Sequence, residues 1–131
     1  IMFIGANGSG KTRLGAWVEM ESLGKANTHR VSAQKLLNMP DTIIPSSMKI
    51  AKAMLFGGHQ NALEKENYSD FKSANRWNQN PNISTLNDFN ALGVFLFSDH
   101  MEAGAEYLKS SKETGYRVEP PITLLEQVKK L

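Results

Sequence analysis

The sequence has no cysteine, no long apolar run and a net charge of only +2 over 131 residues. Without cysteine, the chain can form neither a disulfide framework nor a thiolate metal site. No apolar run approaches the roughly 20 residues that a membrane-spanning helix needs. The first apolar residues lead directly into a glycine-rich stretch, which is not the layout of a secretory signal peptide. We therefore expect a cytoplasmic protein that has no membrane partner.

The small net charge favours no class of partner for the whole chain, but the charges are unevenly distributed. Residues 1–60 carry seven Lys and Arg against three Asp and Glu, whereas residues 61–131 carry eight against ten. A basic first part attracts anionic groups such as phosphate. A nucleic-acid surface is compatible with this charge but is not required by it.

The glycine-rich stretch fits the P-loop pattern G-x-x-x-x-G-K-[ST] without a mismatch. Its eight residues are Gly5, Ala6, Asn7, Gly8, Ser9, Gly10, Lys11 and Thr12. The apolar residues 1–4 before it predict a buried strand, and the residues from Lys11 onward predict a helix. A strand, a glycine-rich turn and a helix N-terminus form the context in which this pattern binds phosphate.

Each residue type in the stretch has a use in binding a nucleoside triphosphate. The glycines allow positive φ and a close approach of the backbone, so the amides from Asn7 to Thr12 would surround the phosphates with the helix N-terminus. The Lys11 amine would reach the β- and γ-phosphates, and we predict it as the catalytic residue. The Thr12 hydroxyl would bind Mg²⁺, which prefers oxygen ligands. The predicted cofactors are therefore ATP and Mg²⁺, with GTP left open as the alternative nucleotide.

The whole chain predicts an α/β fold that opens strand–P-loop–helix–strand and continues as a mostly helical region, helix-rich overall. In the opening, we expect a helix from Lys11 to about Lys25, a strand at Thr28–Ala33, and Gln34 facing the nucleotide. Three further helices are expected: one capped by Ser46 or Ser47 and ended by Gly57–Gly58, one over residues 85–110, and one over residues 123–131. Residues 1–45 would form a nucleotide-binding portion and residues 46–131 a helical portion.

The aromatic and basic side chains around these elements have structural interpretations. We expect Trp17 in the core, with stacking on adenine as the alternative. His29 and Arg30 are expected at a strand edge, and Trp77 is expected to anchor its loop against a neighbouring helix.

Two segments partly match the residue patterns of other ATPase motifs. Residues 94–99, Val-Phe-Leu-Phe-Ser-Asp, resemble an apolar strand that ends in the acidic residue of a Walker B motif. However, Ser98 interrupts the match and the apolar spacing continues upstream in helical period, so we expect a helix there. Residues 55–60 imitate the Leu-Ser-Gly-Gly-Gln signature of ABC-type ATPases, but Phe56 replaces the serine, and a helix C-cap is the preferred interpretation.

The P-loop opening resembles the ABC-type ATPases of chromosome maintenance and DNA repair and, more narrowly, the ATP-binding subunits of bacterial anti-phage systems. The segments that carry the resemblance are Gly5–Thr12, Thr28–Ala33 with Gln34, Arg76-Trp77, and residues 87–92. It implies that ATP–Mg²⁺ lies between the P-loop of one chain and the signature of a second, so that ATP joins a homodimer and hydrolysis opens it. It also implies a nuclease as partner protein.

In such proteins a signature sequence, a Walker B Asp-Glu pair and a switch histidine complete the nucleotide site. None of these is recognisable here, so we expect an N-terminal fragment of a longer ATPase. Two other functions stay open: a small P-loop phosphotransferase, which would need further parallel strands, and a nucleotide-gated assembly module that does not hydrolyse ATP.

Overall fold

The structure of the protein is a computed structural model that describes residues 4–6, 8–31, 40–80, 88–115 and 119–131. Five α-helices lie in these ranges: α1 (Lys11–Met20), α2 (Met48–Lys52), α3 (Tyr68–Phe71), α4 (Phe89–Thr114) and α5 (Leu124–Val128). Helices α2 and α3 each continue into a wider π-helical segment, Ala53–Gly57 and Lys72–Arg76 respectively. Short 3₁₀ turns lie at Lys25–Asn27 and Lys65–Asn67.

The predicted α/β opening is wrong for the part of the chain that the structure describes, which is helix-rich and contains no strand. Ile4 and residues 28–31 have irregular backbone. Residues 1–3 and 32–39, which hold the rest of both predicted strands together with Gln34, lie outside the described residues. Because the described part offers no neighbouring strand, residues 28–31 have no ladder to join. Their backbone bonds to side chains instead, since Thr28 O accepts from Lys72 and Arg30 O accepts from Arg76.

Several helix ends follow the local chemistry of the sequence. The Ser47 hydroxyl accepts a hydrogen bond from the Ile50 amide and caps α2, as predicted. Gly58, at φ 76°, ends the π-helical segment after α2, and Gly115, at φ 65°, ends α4. Both glycines adopt the left-handed conformation that favours glycine after a helix. The predicted end of the helix after Ser47 is therefore confirmed, whereas α4 runs to Thr114, beyond the predicted end at residue 110.

Helix α5 begins with a capping box and is shorter than expected. The Thr123 hydroxyl accepts from the Glu126 amide, and the Glu126 carboxylate accepts from the Thr123 amide. The Leu124 amide donates to Asp99 Oδ2 at 2.9 Å, which joins α5 to α4. The α-helical turns end at Val128 rather than reaching Leu131.

The core lies where α2, α3 and α4 meet and is built largely from small side chains. The Phe56 ring stacks on Tyr68 at 5.8 Å between centroids and meets Phe95 edge-on at 6.3 Å. A Cβ on Gly57 would lie 2.5 Å from the Ala62 Cβ, so glycine is what allows this approach. The buried apolar residues around these rings are Ala51, Ala53, Leu55, Ala62 and Trp77. Trp77 is 1% exposed, which confirms that it anchors its segment.

Both imitations of ATPase motifs are helical, as expected. Residues 94–99 lie inside α4, so Asp99 does not end a strand. Residues 55–57 belong to the helical segment that Gly58 ends. In the described ranges, no helix has both the length and the apolar character needed to cross a membrane.

Helix α1 ends earlier than predicted, and the prediction for Trp17 is wrong. The helix stops at Met20, and the Glu21 amide donates to Trp17 O at its end. Trp17 is 56% exposed, whereas Glu19 is fully buried. Two residues correspond to about 200° around a helix, so these side chains point to opposite sides. Because α1 turns its Ala16 and Glu19 face inward, Trp17 faces outward.

Candidate phosphate-binding loop

The P-loop residues form a turn that leads directly into α1. Gly8 and Gly10 both have φ of 82°, in the left-handed region, and Gly10 is the N-cap of the helix. A side chain at either position would be strained whatever the space around it. The two glycines therefore permit a backbone path that other residues would adopt only at a cost.

The main-chain amides of the loop are largely unused by the rest of the described chain. The Ser9 amide donates to Ala6 O at 3.2 Å, and the first helical bond runs from the Leu14 amide to Gly10 O at 2.9 Å. The amides of Gly8, Gly10 and Thr12 donate to no other described residue. Unpaired amides at a helix N-terminus, next to the positive end of the helix dipole, form an environment suited to an anion.

The Lys11 side chain folds back over the loop. Its amine donates to Gly5 O at 2.5 Å and to Ala6 O at 2.6 Å, and it lies 3.3 Å from Ser9 Oγ. A Cβ on Gly5 would lie 2.7 Å from Ser9 Oγ, so a larger residue there would require the Ser9 side chain to rotate. Lys11 therefore places a positive charge against the loop rather than toward bulk solvent.

The other predicted site residues are placed as follows. Thr12 lies in the first turn of α1 and is exposed, as are Gly5, Gly8, Ser9 and Gly10. Asn7 and Gln34 lie outside the described residues. The structure thus brings Gly5, Gly8, Ser9, Gly10, Lys11 and Thr12 together in one exposed turn.

A buried set of charges, which we call the Glu19 cluster, holds the other end of α1. It consists of Glu19, Arg30, Lys72, Arg76 and Asp88. Glu19 Oε1 lies 2.9 Å from Arg76 Nη1 and 3.9 Å from the Lys72 amine, and Glu19 Oε2 lies 3.3 Å from Arg30 Nε. The Glu19 carboxylate thus joins α1 to residue 30 and to the segment that follows α3. Buried charges of this kind are stable only while their partners are in place.

Arg76 extends the cluster to the start of α4. Its Nη2 donates to Asp88 Oδ2 at 2.9 Å, to Arg30 O at 2.7 Å, and lies 3.2 Å from His29 Nε2. The guanidinium carries only donors and a positive charge, so its position beside His29 Nε2 disfavours a protonated imidazole ring. The Trp77 ring lies beneath both guanidinium groups, 3.9 Å from Arg30 Cζ and 4.9 Å from Arg76 Cζ.

Burial changes the titration of two groups at this cluster. Desolvation, reinforced by the positive charge of Arg76, lowers the pKa of His29 below its usual value. Desolvation also lowers the pKa of Lys72, although the nearby Glu19 carboxylate opposes the shift. Outside the cluster, burial raises the pKa of Tyr68, and the nearby Glu64 carboxylate raises it further. The cluster therefore favours a neutral His29.

No sequence pattern identified the Glu19 cluster as a set of paired charges. The signal for Glu19 was present, because Gly15 and Ala16 lie four and three residues before it and form a small-residue face on which another segment can pack closely. The contact with Arg30 is indeed close, since a Cβ on Gly15 would lie 3.2 Å from Arg30 Cδ. No local pattern identified Lys72, since its partners are Thr28 and Glu19, 44 and 53 positions away.

A metal site made by the protein alone is not found in the described ranges, where no group of three or more His, Asp or Glu side chains could hold a metal ion.

Comparison with known proteins gives no match to a protein-family model, to a curated protein or to a solved structure.

Proposed function

We propose that residues 5–12 bind the triphosphate of a nucleotide, with ATP as the first candidate. The observation that carries the proposal is the pair of left-handed glycines, Gly8 and Gly10, immediately before α1. They hold the loop in a conformation that leaves the amides of Gly8, Gly10 and Thr12 without described partners. Such amides lose little when they bind an anion, because they have no hydrogen bonds with described residues to give up.

Lys11 would supply the main positive charge to the bound phosphates. Its ammonium has three donors, and its longest contact is the 3.3 Å approach to Ser9 Oγ. A phosphate oxygen would replace this contact at the smallest cost, while the bonds to the Gly5 and Ala6 carbonyls keep the side chain over the loop. The amine would then interact with phosphate as a point charge.

Mg²⁺ fits this proposal as the metal of the nucleotide rather than as a resident ion of the protein. The exposed Thr12 hydroxyl occupies the position of the pattern that binds Mg²⁺, and Mg²⁺ usually keeps several waters and takes phosphate oxygens as ligands. Asp99 does not serve here, because it accepts the Leu124 amide at the other side of α4.

The resemblance to ABC-type ATPases extends the proposal to the larger assembly. There, ATP would join two chains, hydrolysis would release them, and a nuclease would act beside them in anti-phage defence. A cytoplasmic location agrees with the absence of cysteine. This extension is an analogy of sequence and adds no residue to the site.

Of the two other functions left open, the described residues favour the nucleotide-gated module over the small phosphotransferase. The phosphotransferase needs further parallel strands, and the described ranges contain none. The module needs only the loop and a connection from α1 to other elements, which the Glu19 cluster supplies. Sustained release of phosphate in the presence of the partner proteins would exclude the module and support the ATPase.

The substitution Lys11→Ala tests the proposal in the full chain. Loss of a charge-assisted hydrogen bond costs about 1.5–3 kcal/mol, so the affinity for Mg-ATP should fall by more than about tenfold. Lys109→Ala is the matched control, because Lys109 is 77% exposed on α4 and pairs only weakly, at 4.0 Å, with Glu113. Calorimetric titration that gives the same affinity for Lys11→Ala, Lys109→Ala and the wild type would refute the assignment.

A further inference from the structure

A second feature of α1 is a cavity of about 670 Å³ along its exposed side. Residues of α1 line one wall, and residues of α3 and of the π-helical segment that follows it line the other. The first wall includes Arg13, Leu14, Trp17 and Met20 of α1 with its C-cap Glu21, and the opposite wall includes Ser69, Asp70 and Ser73. This volume lies in the range usual for small-molecule sites.

The lining of the cavity begins at Arg13, one residue beyond the phosphate loop. Arg13 directly follows Thr12 in the first turn of α1, and Trp17 lies four residues later on the same face. The helix rises about 1.5 Å per residue, so these two side chains are separated by roughly 6 Å along the axis. A ligand with its phosphates on the loop would therefore run along Arg13 toward Trp17.

Trp17 is the unusual residue of this wall. Its side chain is 56% exposed although tryptophan gains more than almost any residue from burial. Trp77, the other tryptophan of the chain, is 1% exposed. An exposed indole face in a cavity with apolar neighbours, Leu14 and Met20, is suited to stacking on a flat aromatic group.

We infer that Trp17 stacks on the base of the bound nucleotide and that the cavity beside it is the nucleoside-binding part of the site. This inference rests on the proposed function, since it assumes that the triphosphate occupies the loop. Trp17 then acts as a specificity-determining residue that separates nucleoside triphosphates from inorganic polyphosphate. The polar wall of Ser69, Asp70 and Ser73 faces the same cavity and offers hydrogen-bonding groups to the base edge.

The test compares Mg-ATP with inorganic tripolyphosphate, which has the phosphates but no base. In the full chain, Trp17→Ala should weaken Mg-ATP binding by about five- to a hundredfold, the usual effect of removing one stacking ring, and leave tripolyphosphate binding unchanged. Trp17→Phe should restore most of the ATP affinity. Because Trp17 is largely exposed, circular dichroism should show unchanged helix content in both variants.

Fluorescence gives an independent result with the same protein. Mg-ATP should quench the wild type but not Trp17→Phe, whose one remaining indole is the buried Trp77. If Trp17→Ala binds ATP and tripolyphosphate as the wild type does, the inference is overturned while the phosphate site stands. If the wild type binds neither ligand, the proposed function and the inference both fail.

Discussion

At the scale of single residues, Gly10 and Gly104 have similarly open surroundings but opposite backbone requirements. A Cβ on either glycine would meet nothing within 4 Å, yet Gly10 has φ of 82° whereas Gly104 lies within α4. Gly10→Ala should therefore destabilise the loop by about 1–2 kcal/mol through backbone strain. Gly104→Ala should stabilise the protein by about 0.5–1 kcal/mol, because alanine loses less entropy in a helix.

Urea denaturation of the two variants measures these free energies. Opposite signs are expected, and the Gly10 variant should also bind Mg-ATP less tightly. Equal effects of the two substitutions on the free energy of unfolding would show that the left-handed turn before α1 is not required.

His29 predicts how stability depends on pH. Its pKa in the folded protein lies below the value of about 6.5 for an unfolded chain, so the unfolded state binds more protons as the pH falls below 6.5. The contribution of His29 is therefore fully present above that pH and is lost as the pH falls toward its lowered pKa. The charged groups facing it are Arg76, Asp88, Lys72 and Glu19.

The measurement is the free energy of unfolding of the wild type and His29→Gln from about pH 7.5 to about pH 5.5. The wild type should lose more stability over this range than the variant. Parallel curves for the two proteins would contradict a neutral His29 bonded to Arg76.

At the scale of elements, the Glu19 cluster is what fixes α1 to the rest of the molecule. Removing one partner from a buried ion pair costs about 3–5 kcal/mol, because the remaining charges stay buried without compensation. Glu19→Ala should therefore destabilise the protein by about that amount. The reason is that it leaves Lys72, which is almost fully buried, without its carboxylate and leaves the equally buried Arg76 with Asp88 alone.

Glu64→Ala is the matched control, since it also removes a carboxylate from an ion pair. Glu64 and Lys49 lie 3.0 Å apart, but their side chains are 63% and 61% exposed. Exposed pairs contribute about 0–1 kcal/mol, so this variant should unfold nearly as the wild type does. If thermal or urea denaturation gave similar losses for the two variants, the cluster would not be the connection that holds α1.

The elements also show which parts of the fold the sequence could predict. Caps and stops depend on neighbours a few residues away, so the cap at Ser47 and the stop at Gly58 could be predicted from the sequence. A strand depends on a partner elsewhere in the chain, and the pattern at 28–31 carried no information on whether one exists. In the described structure, the Lys72 and Arg76 side chains, from the π-helical segment after α3, bind the backbone carbonyls of residues 28 and 30.

At the scale of the whole molecule, the candidate site also has one part that local sequence patterns predict and another part that they do not. The phosphate loop is a local pattern, and the sequence predicted its turn and its helix start. The cavity beside Trp17 and the Glu19 cluster form between segments about 50 positions apart, so no spacing rule could indicate them. The apolar periodicity of α1 predicted that Trp17 lies in the core. The orientation of α1 is set instead by the buried Glu19, and apolar periodicity does not indicate that a charged residue is buried.

The most direct test of the central claim is a titration of the isotope-labelled full chain with Mg-ATP, followed by amide NMR. We expect the amide resonances of Gly8, Gly10 and Thr12 to shift together with ligand concentration, while those of Gly104 within α4 and Gly115 at its C-cap stay in place. If the loop resonances do not move at about 1 mM nucleotide, the upper end of usual enzyme affinities, residues 5–12 do not bind the triphosphate.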